Sequence, residues 1–424
     1  MKSTFNYVIG ALASAHHRFF KMLNKLSSIL LYGALATMLL VVLPGFPPYI
    51  HFKSFKLARG QDMTGKLVPN FALDKATPVD DQIFGSESLA LRGSTLYTAV
   101  VGGEVLEIEE LKEGARVRKI GRTGEPCAEE NIACGLPLGI RLDARGNLVI
   151  IDAYQGIVGV NPKSGARLSY FSRSDPIEGV PPKIPNDLDT AKDGTIYWSD
   201  FSSNFEAHEF ALKYMGDNSG RLIKFDPKTK KNTVLISGLF GPNGIQLSEK
   251  EDYVLVNEAI KSRTLRYYLK GPKAGTFDVF LDGIPGVPDN IRPNGRGGYF
   301  IAMRFERSSA VEYLGPLPQL RKLLFRLQWF ALTGLSIVER THIFDKDRMN
   351  LLKHYVENFG TMGFDDSKGS VLELDGNGNI LAWYKTKTSK MFGITQVTAG
   401  KSYAYFNSIA DDKIWKMSLK DLKN

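Results

Sequence analysis

Cysteine is almost missing: Cys127 and Cys134 are the only two in 424 residues. Cys and His nowhere fall at zinc-ligand spacing, which excludes a structural zinc site. Histidine is scarce as well. His16, His17 and His51 sit around an apolar run, while His208, His342 and His354 fall in expected loops or an insertion. There is no Gly-x-Ser-x-Gly elbow and no Walker loop, so a nucleophile-elbow hydrolase and a P-loop nucleotide site are both excluded. No Asn-x-Ser/Thr sequon occurs either, and glycosylation gives no clue to the compartment. The net charge of +9 suggests an anionic partner until its distribution is read. Residues 1–66 hold eight Lys or Arg against Asp62 alone, a surplus of +7, so the remaining chain is near neutral and no nucleic-acid partner is expected.

What the chain does have is a repeat. Ile184-Pro185-Asn186-Asp187-Leu188, Gly241-Pro242-Asn243-Gly244-Ile245 and Val287-Pro288-Asp289-Asn290-Ile291 share a proline, an oxygen-bearing side chain, a polar or small residue and an aliphatic. Leu136-Pro137-Leu138-Gly139-Ile140 repeats this with leucine in the oxygen position, and Gly85 to Leu89 and Gly393 to Val397 repeat it without proline. The common slot therefore holds Glu87, Leu138, Asn186, Asn243, Asp289 and Thr395. Spacing near ~50 residues marks a repeat architecture in which each unit is one supersecondary module. After each slot come short β-rich runs joined by Gly, Asn and Asp turns, for example Asp143-Ala144-Arg145-Gly146-Asn147 before Leu148 to Asp152. Antiparallel strands in six repeats predict an all-β fold, a six-bladed β-propeller over residues 67–420. Leu67 to Leu73 is expected to complete the last blade and join the two chain ends.

Rotation about the propeller axis brings equivalent slots together at the channel mouth. Glu87, Asn186, Asn243 and Asp289, with Asn290 beside it, form an oxygen-rich set of the kind that holds Ca2+. Asp152, Asp200 and Glu258 follow their slots by fourteen or fifteen residues, placing further acids near the channel as assisting groups or as solvated strand ends. His208, in the loop after Asp200, is the one histidine within reach of the mouth.

An apolar run from Ile29 to Leu43, extended by Leu26 and Phe46, is long enough to span a membrane. The 25-residue leader and the bulky Pro44-Gly45-Phe46-Pro47-Pro48 favour an uncleaved anchor over a signal peptide. The expected order is a cytosolic tail (1–25), a transmembrane helix (26–46), a linker (47–66) and the propeller. Lys and Arg on both sides leave orientation to the cysteines: Cys127 and Cys134 either close a small disulfide loop in an oxidising compartment or are two cytosolic thiols. The fifth repeat is interrupted at about 304–367. Within it, Leu317 to Leu332 has helical apolar spacing, with Arg321, Lys322 and Arg326 opposite, so a helix near Leu320–Phe330 is expected as a lid or a membrane-surface helix.

Several of these motifs carry a resemblance: Pro137-Leu138-Gly139-Ile140-Arg141, Ile151-Asp152-Ala153-Tyr154-Gln155-Gly156, Pro176-Ile177-Glu178-Gly179, Tyr197-Trp198-Ser199-Asp200 and Gly286 to Pro293. The chain resembles the strictosidine synthase-like propellers, most of all their adipocyte plasma membrane-associated protein branch. That resemblance implies a single-pass, type II membrane protein of the endoplasmic reticulum or plasma membrane, with a lumenal or extracellular propeller. The fold is also similar to the calcium-dependent paraoxonases, whose calcium positions match Glu87, Asn186, Asn243, Asp289 and Asn290. Two departures stand out. The paraoxonase histidine falls at Leu138, and the glutamate used in strictosidine synthesis falls at Thr395. The expectation is a hydrolase of esters or lactones with Asp289 as base or nucleophile and Asp200 or Asp152 assisting. A binding propeller without catalysis and, less well supported, a synthase are the alternatives.

Overall fold

In the computed structural model, the described residues are 21–422 apart from 23–24, 26, 29–30, 34, 63, 81, 112–113, 127–133, 210–213, 216, 342, 358–368 and 389. The chain divides into two compact units, one of residues 53–317 and 358–424, the other of residues 1–52 and 318–357.

The first unit is the propeller, built from six four-stranded antiparallel sheets. Their innermost strands are Ser86–Arg92, Pro137–Leu142, Pro185–Thr190, Pro242–Leu247, Gly286–Pro293 and Gln396–Ala399, blades one to six in that order. Each innermost strand touches that of the next blade around a closed ring. Local chemistry makes the hairpins. Asp143 Oδ1 accepts from the amides of Arg145 and Asn147 at 2.9 and 2.8 Å, and Gly146 takes φ +81°. Asp375 repeats the turn with Asn377 and Asn379 at 2.9 and 2.8 Å, and Gly378 at φ +89°. Only a residue tolerant of positive φ closes such a turn cheaply.

The apolar core lies between blades, as six wedges. Val149, Ile151 and Phe171 of blade two meet Leu188, Ile196 and Trp198 of blade three, and each neighbouring pair repeats this arrangement. A blade packs on both faces, which explains why Leu148–Asp152 is buried at every position and reads as a continuous apolar run rather than an alternation.

Closure occurs as expected, with a different strand. Thr77–Asp80 pairs with Ile414–Ser418 of blade six, Thr77 opposite Lys416 and Pro78 opposite Trp415. Within Leu67 to Leu73, Leu67 ends a short 3-10 turn, Gly65–Leu67, Asn70 makes an isolated bridge to Tyr384 of blade five, and Ala72 opens a second turn, Ala72–Lys75. Asn70 Oδ1 accepts from the Ala72 amide at 2.8 Å, and this side-chain turn takes the backbone out of an extended conformation. Residues 53–61 then cross the slot end of blades four and five. The Phe55 amide donates to Gly315 O and the Gln61 amide to Gly283 O, both at 3.1 Å, and the Phe55 ring packs on Phe240.

Between Glu306 and Ser370 of blade five lie three helices: α1 (Ser309–Leu314), α2 (Pro318–Glu339) and α3 (Lys346–Glu357). α2 is the helix expected from the apolar spacing, and α3 was not anticipated. The second unit combines α2 and α3 with the N-terminal segment, whose described residues between 21 and 42 are helical. Here the basic face departs from expectation. Arg321 and Arg326 are buried rather than solvated. The Arg326 guanidinium donates to Leu43 O at 2.8 Å and Phe46 O at 3.2 Å, satisfying carbonyls that the helix end leaves without intrahelical partners. Arg321 lies over the Phe52 ring, while Leu320, Leu327 and Ile337 point outward. Among the described residues no helix is long and apolar enough to cross a membrane. The tail up to residue 20 and Cys127 lie outside the described residues.

Candidate metal and hydrolase site

The slots are set by a recurring defect in strand pairing. In blade three the three-residue step from Pro185 to Leu188 faces a two-residue step from Asp200 to Trp198. Blades one, four and five repeat this at Ser86–Leu89, Pro242–Ile245 and Pro288–Ile291. Such bulges re-aim side chains, here at the beginning of each innermost strand.

All five residues singled out by the pattern are buried: Glu87 and Asp289 at 3 % exposure, Asn186 at 7 %, Asn243 at 4 % and Asn290 at 1 %. The Asn290 amide donates to both Glu87 oxygens, at 3.0 and 3.1 Å, so the slots of blades one and five meet. The Asp289 side chain faces Glu87 and Asn243, whose proximity holds its carboxyl down against the rise that burial brings. Yet Oδ1 of Asn186, Asn243, Asp289 and Asn290 is in each case buried without a hydrogen-bond partner. Four orphaned oxygens in one ring are costly unless something electropositive joins them. Burial raises the Asp289 carboxyl to about 6, opposed by Arg304. Glu87 stands well above the ordinary carboxylate range, first through burial and then through the nearby charge of Asp289. The donor set of two carboxylates and three amides fits a hard, oxygen-seeking ion such as Ca2+. Among the described residues no group of three or more His, Cys, Asp or Glu side chains is placed to hold a metal, so the set rests on amide oxygens as well as carboxylates.

Neighbouring side chains hold the slot backbones. Asn257 donates to Asp289 O at 2.6 Å, Ser199 to Asn243 O at 2.6 Å, and Thr395 to Glu87 O at 2.7 Å. Below the slots, Arg292 donates to both Asp187 oxygens at 2.8 and 3.0 Å and links blades five and three across the channel. Asp187 also accepts from the Ile245 amide at 2.7 Å, and Arg141 stands 3.6 Å away. Of these partners Thr395 was singled out from the sequence, as a slot residue; the others were not. Arg292 and Asp187 were both visible inside the repeats, but nothing in a linear pattern pairs them.

The three acids expected near the channel share another role. Asp152 accepts from the Leu136 amide at 2.9 Å, Asp200 from Ile184 at 3.3 Å and Glu258 from Phe240 at 2.8 Å. Each fixes the segment that leads into its innermost strand. Asp200 is further held by Arg221 at 2.7 and 3.1 Å, although burial still raises its carboxyl to about 7. Leu138 is buried in its slot, and His208 is exposed.

Fold and slot positions together define a six-bladed β-propeller with oxygen-bearing side chains gathered at the starts of its innermost strands. A strictosidine synthase family model matches residues 186–272, spanning the slots of blades three and four. The bovine (Bos taurus) adipocyte plasma membrane-associated protein is 37% identical over 318 residues, 73% of this chain and 74% of that protein. The chicken (Gallus gallus) protein is 38% identical over 275 residues, 62% of this chain and 65% of its own length. The chain belongs to the family of these adipocyte plasma membrane-associated proteins. In fold it is similar to a gluconolactonase from Xanthomonas campestris, with a TM-score of 0.51 at 14% identity, covering 89% of this chain and 99% of that one.

Proposed function

We propose that the chain is a membrane-anchored, calcium-dependent hydrolase of the arylesterase or lactonase type. The observation that carries this reading is the ring of four buried, unpartnered oxygens on Asn186, Asn243, Asp289 and Asn290. With Glu87 they would hold the ion, which supplies Lewis-acid polarisation of an ester or lactone carbonyl when bound. Asp289 accepts a proton from the attacking water as its oxygen adds to the carbonyl carbon. The acyl–oxygen bond then breaks and the same proton passes to the leaving oxygen. A metal-held carboxylate is a weak base and Leu138 supplies no imidazole, so turnover is slow. Asp200, held by Arg221, contributes by fixing the segment before Asn186. Turnover of a panel of aryl esters and lactones, measured before and after chelation and again after calcium is restored, tests this reading. Activity that survives chelation contradicts it.

The second reading, a propeller that binds a ligand without turning it over, draws on the apolar, buried Leu138 in a slot where a catalytic group would be useful. The synthase reading is weaker, because Thr395 spends its hydroxyl on Glu87 O.

The anchor reading draws on the apolar run, on relatives named as plasma membrane-associated, and on α2, where Arg321 and Arg326 are buried while Leu320 and Leu327 are exposed. In this reading the protein is type II, in the endoplasmic reticulum or plasma membrane. Residues 1–25 face the cytosol, α2 lies at the membrane surface, and a Cys127–Cys134 disulfide forms on the propeller side.

A further inference from the structure

Blade five departs from the other described blades in one respect. Besides the slot bulge, its first two strands lose register a second time: Val287 faces Phe305 while Pro288 faces Met303. Arg304 is the extra residue, inserted across from the backbone immediately before Asp289. A bulge of this kind redirects a side chain, and bulges concentrate beside active sites. Arg304 has no hydrogen bond and no ion pair among the described residues, and its Nε is buried without a partner. Its guanidinium lies 5.0 Å from the centre of the Phe305 ring. Phe305 in turn meets Tyr214 edge-on at 6.0 Å, and Tyr214 leans on Phe201 at 5.4 Å. Tyr214 and Val287 then line a small space of about 10 Å³ with Leu57, Ile260, Ser308 and Val311, and the buried Ser308 Oγ has no partner. Arg304 is thus a cation facing the Asp289 carboxylate without touching it, and among the described residues no carboxylate closes on its guanidinium.

We infer that Arg304 is a recognition point for the carboxylate of an anionic ester or lactone bound at the channel mouth. A guanidinium presents a planar fork that matches a carboxylate in two parallel hydrogen bonds, which a lysine cannot reproduce. Phe305, Tyr214 and Phe201 are themselves buried, so they hold the guanidinium in place from behind and leave its fork to the ligand. The positive charge already acts on the site, since it opposes the rise of the Asp289 carboxyl. This inference rests on the hydrolase reading for the word ester but not for the anion, and the two fail differently.

The test compares wild type with Arg304→Gln and Arg304→Lys in the full chain with calcium present. Two substrates are used, neutral phenyl acetate and the anionic 4-acetoxybenzoate, together with 2-naphthoate as a non-reacting probe followed by calorimetry. The expected result is a fall of tenfold or more in the ratio of kcat/KM for the anionic over the neutral ester in Arg304→Gln, carried by KM. Arg304→Lys falls in between, and naphthoate binding weakens by the same factor as the ratio. An unchanged ratio, or equal loss for both esters, overturns the inference. If wild type turns over neither ester, the hydrolase reading fails alone. The inference then stands if naphthoate binding depends on Arg304 and is overturned if it does not.

Discussion

The Arg292–Asp187 pair allows a quantitative prediction. Both side chains are buried, and the pair joins the strand carrying Asp289 and Asn290 to the strand carrying Asn186. Arg292→Met removes the cation and leaves Asp187 with the Ile245 amide and with Arg141 at 3.6 Å. Breaking a buried pair on one side costs about 3–5 kcal/mol, because the remaining charge is left uncompensated. Arg141 offsets part of that, so a loss of about 3 kcal/mol is expected. The double variant Arg292→Met with Asp187→Leu removes both charges, and its loss falls well below the sum of the two single losses, a coupling of about 2 kcal/mol. Urea unfolding of the four proteins in a chelating buffer at neutral pH provides the cycle. The pair also sets the separation of two groups of metal ligands, so Arg292→Met should weaken calcium binding about tenfold. A single-variant loss under about 1 kcal/mol, or additive losses, would refute the argument that this pair braces the channel.

Three further predictions follow from the same geometry. Asp289→Ala abolishes calcium binding and esterase turnover together, whereas Thr395→Val, which removes only the hydroxyl that positions Glu87, weakens calcium binding by a smaller factor; calorimetry separates them. Asp289 titrates at about 6 rather than near 3.8, so without metal its contribution favours folding at low pH and is lost as pH rises from about 4 to about 6. Calcium binds the ionised form, and the calcium-induced rise in melting temperature should therefore be larger at pH 7.5 than at pH 5.5; an equal rise at both contradicts this. In sealed microsomes the propeller should resist protease until detergent is added, and non-reducing mass mapping should recover Cys127 and Cys134 in one bonded fragment pair; digestion without detergent, or two free thiols, removes the topology.

The propeller was legible because it repeats: six slots, each followed two residues on by an aliphatic and four of them preceded by proline, identify the innermost strands and the ligand slots at once. Turn chemistry such as Asp143 to Asn147 marked the hairpins for the same local reason. The closing strand was misplaced by about ten residues, since Val68 and Leu73 look like a strand while the Asn70 side-chain turn decides otherwise. Pairings between distant repeats were not legible. Arg292 with Asp187, Asn257 with Asp289 O, and the second bulge at Arg304 depend on which blades face one another and on register, neither of which is written in a linear pattern. The burial of Arg321 and Arg326 was missed because helical spacing gives a polar face but not the carbonyls waiting on it.

The most direct measurement is a calorimetric titration of the purified wild-type protein with calcium at neutral pH, after exhaustive chelation and exchange. The account predicts one ion per chain, lost in Asp289→Ala. No binding heat at any calcium concentration, with the propeller folded, would contradict it and leave the ligand-binding propeller in its place.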